Sequence, residues 1–168
     1  IRPLDPGEAF FTLADQVSGM NFVVFAERTG ALPPERVRHT LNVIQRENLL
    51  LQAGIDWVDE QGLAFVHAPE SAIELRCHAV READWQIPIE QQLSEPFALG
   101  SAPLMRCLLL NVLADSDANA FSSAPARSVL ALCFHHSIGD GRSGTTILCR
   151  MLSLIASNEQ LAALEAPE

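Results

Sequence analysis

The chain has 168 residues, which is the usual length of one domain and enough to bury a core without disulfides or metals. Apolar residues make up 48% of it and charged residues 19%, and this balance excludes an intrinsically disordered protein. Its formal charge of −10, without a basic run, argues against a nucleic-acid-binding protein and against a protein that binds anionic membranes. No apolar run is long enough to predict a membrane span.

Two helices are predicted in the first third of the chain. Asp5 is a candidate N-cap, Pro6 suits the first helical position, and Glu8 follows the cap by three residues. A second helix is predicted from Pro33, because apolar residues recur there at helical spacing. The members of this apolar stripe are Val37, Leu41 and Ile44.

Six segments rich in β-branched, aromatic and leucine residues are predicted strands. They are residues 21–27, 50–58, 63–67, 73–80, 104–113 and 128–134. Residues 59–62 have turn composition, so the second and third strands are predicted to form a hairpin. The segment 128–134 is almost continuously apolar, which is typical of a central strand covered on both faces.

Helices are also predicted over 84–93 and 141–157. Residues 114–127 are rich in Ala, Ser, Asp and Asn, which predicts a mobile loop between two strands, and 158–168 are predicted to be a fraying tail. Strands and helices mix without strict alternation, so the predicted class is α+β (mixed α/β), with residues 1–168 as a single domain.

The four cysteines show no CxxC spacing, so no zinc or redox motif is predicted. Cys107 and Cys133 lie inside apolar runs and are interpreted as small buried hydrophobic residues in a reducing compartment. The first residues lack the basic-then-apolar layout of a signal peptide. These observations favour a cytoplasmic location.

The segment most informative about chemistry follows the strand 128–134. That strand leads into His135 and His136, and Asp140 and Gly141 come four and five residues after the second histidine. Adjacent strand residues face opposite ways, so one imidazole should face the core or turn and the other a cleft. A neutral imidazole in a cleft suits a general base near pH 7. Small residues nearby leave space for a slender substrate arm: Ser137, Gly139, Ser143 and Gly144.

An isolated pair of histidines is more often structural or simply solvated, but the full spacing HHxxxDG between an apolar strand and a helix is far more specific. It resembles the signature of the chloramphenicol acetyltransferase-like acyltransferases, which include nonribosomal peptide condensation domains and plant BAHD acyltransferases. Residues 45–52 (QRENLLLQ) are similar to that superfamily's RHxxLR segment, and residues 96–106 (PFALGSAPLMR) resemble its PFDLxxxPLLR segment. The resemblance implies a sandwich of a mixed β-sheet covered by helices.

The resemblance also implies roles for the motif residues. His136 would be the general base that takes a proton from an acceptor hydroxyl or amine as it attacks an acyl thioester. His135, Asp140 and Gly141 would be architectural. The acyl donor would be carried on a pantetheine arm, from coenzyme A or an acyl carrier protein, with no permanently bound cofactor and no metal.

The sequence departs from the superfamily pattern where the aspartate's arginine partner is expected. Glu47 stands where relatives often carry His, and Leu51 or Gln52 stands where they carry the later Arg. Arg106 is our preferred partner of Asp140, because a guanidinium in an apolar strand needs a carboxylate. The alternatives are a strand-edge Arg106 that reaches water, or a pairing of Asp140 with Arg28 or Arg46.

Monomeric relatives contain two similar halves with the substrate tunnel between them, and this chain resembles the N-terminal half alone. The expected partner is therefore the missing C-terminal half of the same protein, or another subunit as in trimeric chloramphenicol acetyltransferase. Two other functions stay open: a non-catalytic module that binds a carrier protein or other partner, and an epimerisation-type domain with the same histidine base.

Overall fold

A computed structural model describes the backbone of residues 2–113 and 127–165 and the side chains of residues 2–113 and 127–157. The four helices are α1 Pro6–Ala14, α2 Pro34–Glu47, α3 Gln86–Ser94 and α4 Gly141–Glu165. The strands are β1 Arg2–Pro3, β2 Asn21–Thr29, β3 Ala53–Val58, β4 Gly62–His67, β5 Glu74–Arg81, β6 Met105–Leu113 and β7 Arg127–His135. Two 3-10 turns cover Leu49–Gln52 and His136–Ile138.

The strands form two sheets. The larger has the order β2-β7-β6-β5, in which β7 is antiparallel to both neighbours and β5 is parallel to β6. The smaller has the order β1-β4-β3 and is antiparallel throughout. A mixed sheet with packed helices confirms the predicted α+β class.

Local sequence signals explain how α1 and α2 begin. The Asp5 carboxylate accepts from the backbone N–H of Glu8, and the Glu8 carboxylate accepts from the backbone N–H of Asp5, which is a complete capping box. Helix α2 has proline in its first turn, where the missing N–H costs nothing. The predicted apolar stripe of α2 is fully buried and consists of Val37, Leu41 and Ile44.

The larger sheet packs on both faces. Alternate residues of β6 and β7 meet α2 and α4 on one face, and these are Met105, Cys107, Leu109, Leu130, Leu132 and Phe134. The other face packs on Ile89 of α3 through Leu108, Leu110, Val112, Val129 and Ala131. Strand β7 is therefore a central strand covered on both faces, as its continuous apolar run predicts.

The structure gives different bounds for one predicted strand and for the last helix, and one predicted loop lies almost wholly outside the described residues. The predicted strand 50–58 begins only at Ala53, because Leu49–Gln52 form a 3-10 turn. Helix α4 continues to Glu165, so the backbone of most of the predicted tail 158–168 is helical. The predicted mobile loop 114–127 lies outside the described residues, except for Arg127, which begins β7.

None of the described helices combines the length and apolarity that crossing a membrane requires.

Candidate functional site

The histidine pair lies where β7 passes into a 3-10 turn. His135 is the last residue of β7, and its backbone N–H donates to the Leu104 carbonyl at 3.1 Å. His136 begins the turn, and its backbone N–H donates to the Met20 carbonyl at 2.8 Å. The two residues are thus fixed through their backbones to the segments that precede β6 and β2.

The His136 imidazole lies between two phenylalanine rings. Its centroid is 4.8 Å from that of Phe11 at an interplanar angle of 19°, and 4.6 Å from that of Phe22 at 39°. Phe11 belongs to α1 and Phe22 to β2, so two elements restrict the orientation of the imidazole. The His136 side chain is partly exposed, so it remains open to a reactant.

The His135 imidazole is fully buried. Its Nδ1 accepts from the Ser137 backbone N–H at 3.1 Å and lies 2.6 Å from Ser137 Oγ, while its Nε2 lies 3.4 Å from Oδ1 of Asp15. Burial lowers the pKa of His135 below its usual 6.5, and the Asp15 carboxylate opposes that shift only in part. The buried His135 imidazole is therefore mainly neutral near pH 7.

A cleft of about 640 Å³ lies at the end of the sheet where β7 passes into α4, and neither His135 nor His136 is among its lining residues. Its walls come from the end of α2, the following 3-10 turn and the start of α4, and they are mainly apolar. Three of the four small residues proposed to line the substrate tunnel line this cleft: Gly139, Ser143 and Gly144. Phe22 contacts the His136 imidazole and also lines the cleft, so it is the residue that connects the two.

Ser137 lies outside the cleft lining. It is 1% exposed, and its hydroxyl and backbone N–H both face Nδ1 of His135. The expectation that it opens space for substrate is wrong, because the 3-10 turn directs its side chain inward.

Gly144 sets how closely α4 approaches the sheet. A Cβ atom at this position would lie 2.8 Å from the Phe22 ring and 3.2 Å from the Phe134 ring. Any larger residue would therefore displace Phe22, which orients His136. Glycine at this position maintains both the close packing of α4 and the position of the imidazole's neighbour.

Asp140 is an exposed helix cap rather than a buried ion-pair partner. Its Oδ1 accepts from the backbone N–H and the hydroxyl of Ser143, both at 2.8 Å, and so caps the start of α4. These hydrogen bonds lower the pKa of the Asp140 carboxyl. The carboxylate thereby fixes the turn between His136 and α4.

The expected pairing of Arg106 with Asp140 is wrong. Arg106 is 6% exposed, and its Nη2 donates to the carbonyls of Glu95 at 2.7 Å and Gln92 at 3.2 Å. Its Nη1 donates to the Pro96 carbonyl and lies 3.2 Å from the Glu95 carboxylate. The carbonyls at the end of α3 attract the guanidinium because a helix C-terminus is the negative end of its dipole.

The two departures from the RHxxLR segment have structural consequences. Glu47 pairs with Arg150 of α4 at 2.8 Å, which ties the end of α2 to α4 at the rim of the cleft. Leu51 is 2% exposed and packs in the apolar core. The alternative partner Arg46 donates from Nε to the Asn42 carbonyl.

Sequence reasoning missed three residues that surround the histidine pair: Phe11, Phe22 and Asp15. Phe11 and Phe22 are ordinary apolar residues of a helix and a strand in the sequence, and only the tertiary fold brings them to His136. Asp15 follows α1 directly, and its position as the helix C-cap was the one available signal.

Metal ligands are not gathered at the site. Within residues 2–113 and 127–157, no three His, Cys, Asp or Glu side chains lie together in a geometry that could hold a metal ion.

Comparison with known proteins gives matches only among solved structures. No protein family profile matches the chain, and no curated protein matches it. The starter condensation domain of the rhizomide synthetase matches with a TM-score of 0.75 and 18% identity over 99% of this chain. The first condensation domain of the calcium-dependent antibiotic synthetase, in complex with a substrate analogue, matches with a TM-score of 0.71 and 17% identity over 89% of this chain.

These matches show that the chain shares the fold of condensation domains over part of their length. A further structure of the rhizomide starter domain, a mutant in complex with C8-CoA, has a TM-score of 0.72 and 19% identity over 91% of this chain. The chain corresponds to 41%, 36% and 34% of the three matched chains. The resemblance drawn from the HHxxxDG spacing is thus confirmed at the level of the fold.

Proposed function

We propose that the chain is the N-terminal part of a condensation-type acyltransferase, with His136 as its general base. The observation that carries this proposal is the partly exposed His136 imidazole, which stacks on Phe11 and contacts Phe22, a residue that also lines the apolar cleft. A general base must have a fixed orientation and be within reach of the reacting hydroxyl or amine, and this arrangement suits both needs.

The reaction follows from that placement. An acceptor amine or hydroxyl attacks the carbonyl carbon of an acyl thioester while the unprotonated ring nitrogen of His136 takes the acceptor's proton. The carbon–sulfur bond breaks, the amide or ester remains, and the departing sulfur receives a proton from the imidazolium. The donor is a thioester on a pantetheine arm, from coenzyme A or a carrier protein, and the acyl or pantetheine chain uses the cleft.

The other motif residues act by holding this geometry. His135 packs inside the core and fixes the turn through Ser137. Asp140 caps α4, whose first residues include two lining residues of the cleft, Ser143 and Gly144. The substrate tunnel is completed by a C-terminal half, from the same protein or a second subunit.

A second candidate function is a non-catalytic module that binds a carrier protein or another partner. Two observations favour it: Asp140 is a solvent-exposed cap, and Leu51 or Gln52 stands where the later motif arginine is expected. Acyl transfer remains the better-supported function because His136 and its aromatic neighbours are all in place.

The test is thioester turnover by the complete protein that contains this chain. The donor is C8-CoA and the acceptor is Leu-SNAC, the pair held by a mutant of the matched rhizomide starter domain. Release of free thiol is followed in the parent and in His136→Ala, with His39→Ala as a matched control because His39 is an exposed histidine of α2. We expect His136→Ala to lose about 10²–10⁴-fold in kcat and to melt like the parent.

Two results would contradict the proposal. If His136→Ala keeps the parental kcat, His136 is not the general base. Binding of C8-CoA without thiol release in the parent would favour the binding module.

A further inference from the structure

We propose that Asp15 is a positioning residue for His136, which it holds in place through the Met20 segment and through His135. This inference rests on the proposed function, because it concerns the placement of the base that the function requires. Asp15 lies just after α1, its side chain is 10% exposed, and its carboxylate faces Nε2 of His135 and the Met20 N–H. Its effect on His136 is therefore indirect.

The first connection runs through the backbone of Met20. Oδ1 of Asp15 accepts from the Met20 N–H at 2.8 Å, and the Met20 carbonyl accepts from the His136 N–H at 2.8 Å. One residue thus separates the carboxylate from the backbone of the proposed base. Loss of the carboxylate would free the 15–20 turn that fixes the His136 N–H.

The second connection runs through His135 and depends on its tautomer. A backbone N–H can only donate, so Nδ1 of His135, which faces the Ser137 N–H, must be the unprotonated acceptor. The proton of the neutral ring therefore lies on Nε2, which is buried and lacks a hydrogen-bond partner among the described residues. Oδ1 of Asp15 lies 3.4 Å from this nitrogen and is the acceptor placed to attract its proton.

The third connection is helix α1 itself. The Asp15 backbone N–H donates to the Phe11 carbonyl at 3.1 Å, and Phe11 stacks on the His136 ring. This backbone bond persists in Asp15→Ala, so it joins the end of α1 to the 15–20 turn without depending on the carboxylate. The first two connections depend on the Asp15 carboxylate, and they lead to His136 from its backbone and from its preceding neighbour.

The experiment uses the complete protein with histidines labelled with ¹³C at Cε1. We expect the ring currents of Phe11 and Phe22 to shift the His136 ring proton signals upfield, so that this shift reports the position of the imidazole without any turnover. Three variants are compared with the parent: Asp15→Ala, Asp15→Asn and Glu8→Gln. Glu8→Gln is the matched control, because it removes a carboxylate from α1 whose partners are Arg2 and the Asp5 backbone N–H.

We expect Asp15→Ala to lose much of the upfield shift and to lower kcat by about 10²-fold with KM little changed, since a misplacement of about 1 Å can cost that much. Asp15→Asn keeps an oxygen acceptor for Met20 and His135, so most of the shift and a larger share of kcat should return. Glu8→Gln should lower the melting temperature while the His136 signals stay at their parental positions.

Parental ring shifts in Asp15→Ala would overturn the inference, and so would an equal displacement of the signals in Glu8→Gln. If the parent transfers no acyl group, the proposed function fails, and the ring shifts still decide the role of Asp15.

Discussion

The two faces of the larger sheet differ at the end that carries the histidine pair. Toward α2 and α4 this end is apolar, and its residues are Phe22, Met105 and Phe134. Each of these has a polar neighbour in the chain that points to the opposite face, and these neighbours are Asn21, Arg106 and His135. The polar residues lie beneath the end of α3, where Asn21 and Arg106 donate to its last carbonyls.

The two faces of the sheet therefore contribute to the structure in different ways. The apolar face excludes water from the core and contributes most of the stabilisation, which is not directional. The polar end of the other face makes directional hydrogen bonds that place α3, the 15–20 turn and His135 relative to one another. We therefore expect substitutions on the apolar face to act mainly on stability, and substitutions in the polar layer to act also on the geometry around His136.

The largest expected effect on stability is at Leu132, in the middle of the apolar face. This side chain is fully buried among residues of α2, α4 and the sheet. Leu132→Ala should lower the free energy of unfolding by about 3 kcal/mol, because it removes buried methyl groups and leaves a cavity. Urea denaturation measures this change. A smaller loss of unfolding free energy in Leu132→Ala than in Arg106→Met would contradict the contrast between the two faces.

A smaller effect is expected at Arg106, in the polar layer. Arg106→Met keeps most of the volume but leaves the carbonyls of Gln92 and Glu95 without this donor, at an expected cost of about 2 kcal/mol. The matched control is Arg76→Met, since Arg76 pairs with the same Glu95 from a more exposed position and should cost under about 1 kcal/mol. Equal losses in the two variants would show that burial of the guanidinium does not matter.

The smallest effect is expected at Asp140, which belongs to neither face. An exposed cap is replaced well by asparagine, so Asp140→Asn should melt like the parent, while Asp140→Ala should melt slightly lower through loss of the cap. A buried Arg106–Asp140 ion pair, as the sequence favours, would instead give a large loss of stability in Asp140→Asn. Calorimetry of both variants distinguishes the cap from the ion pair. A large drop in melting temperature in Asp140→Asn alone would support the ion pair.

The sequence predicted those elements whose pattern was set by local chemistry. The capping box of α1 and the apolar stripe of α2 depend on residues three or four apart, and both were predictable. The 3-10 turn Leu49–Gln52 was not, because a short apolar run has no periodicity that separates a strand from a turn. The order HHxxxDG placed the histidines correctly at the end of a central strand.

The surroundings of the histidines could not be predicted. From the sequence, several carboxylates and carbonyls were candidate partners of Arg106. The packing of α3 on the sheet places the Glu95 carboxylate and the last carbonyls of α3 against it. The aromatic neighbours of His136 come from elements far from it in the chain. Contacts of this kind depend on the tertiary fold, and a local sequence pattern does not predict them.

The pairing of β2 with β7 has a consequence for how the chain folds. Asn21 pairs with His135, so β2, at the edge of the larger sheet, cannot form its ladder until β7, far later in the chain, is available. Closing so long a loop is entropically costly, and non-local pairing slows folding. During synthesis β2 therefore emerges early with unpaired N–H and C=O groups, and the arrangement around His136 is completed only after β7 has left the ribosome.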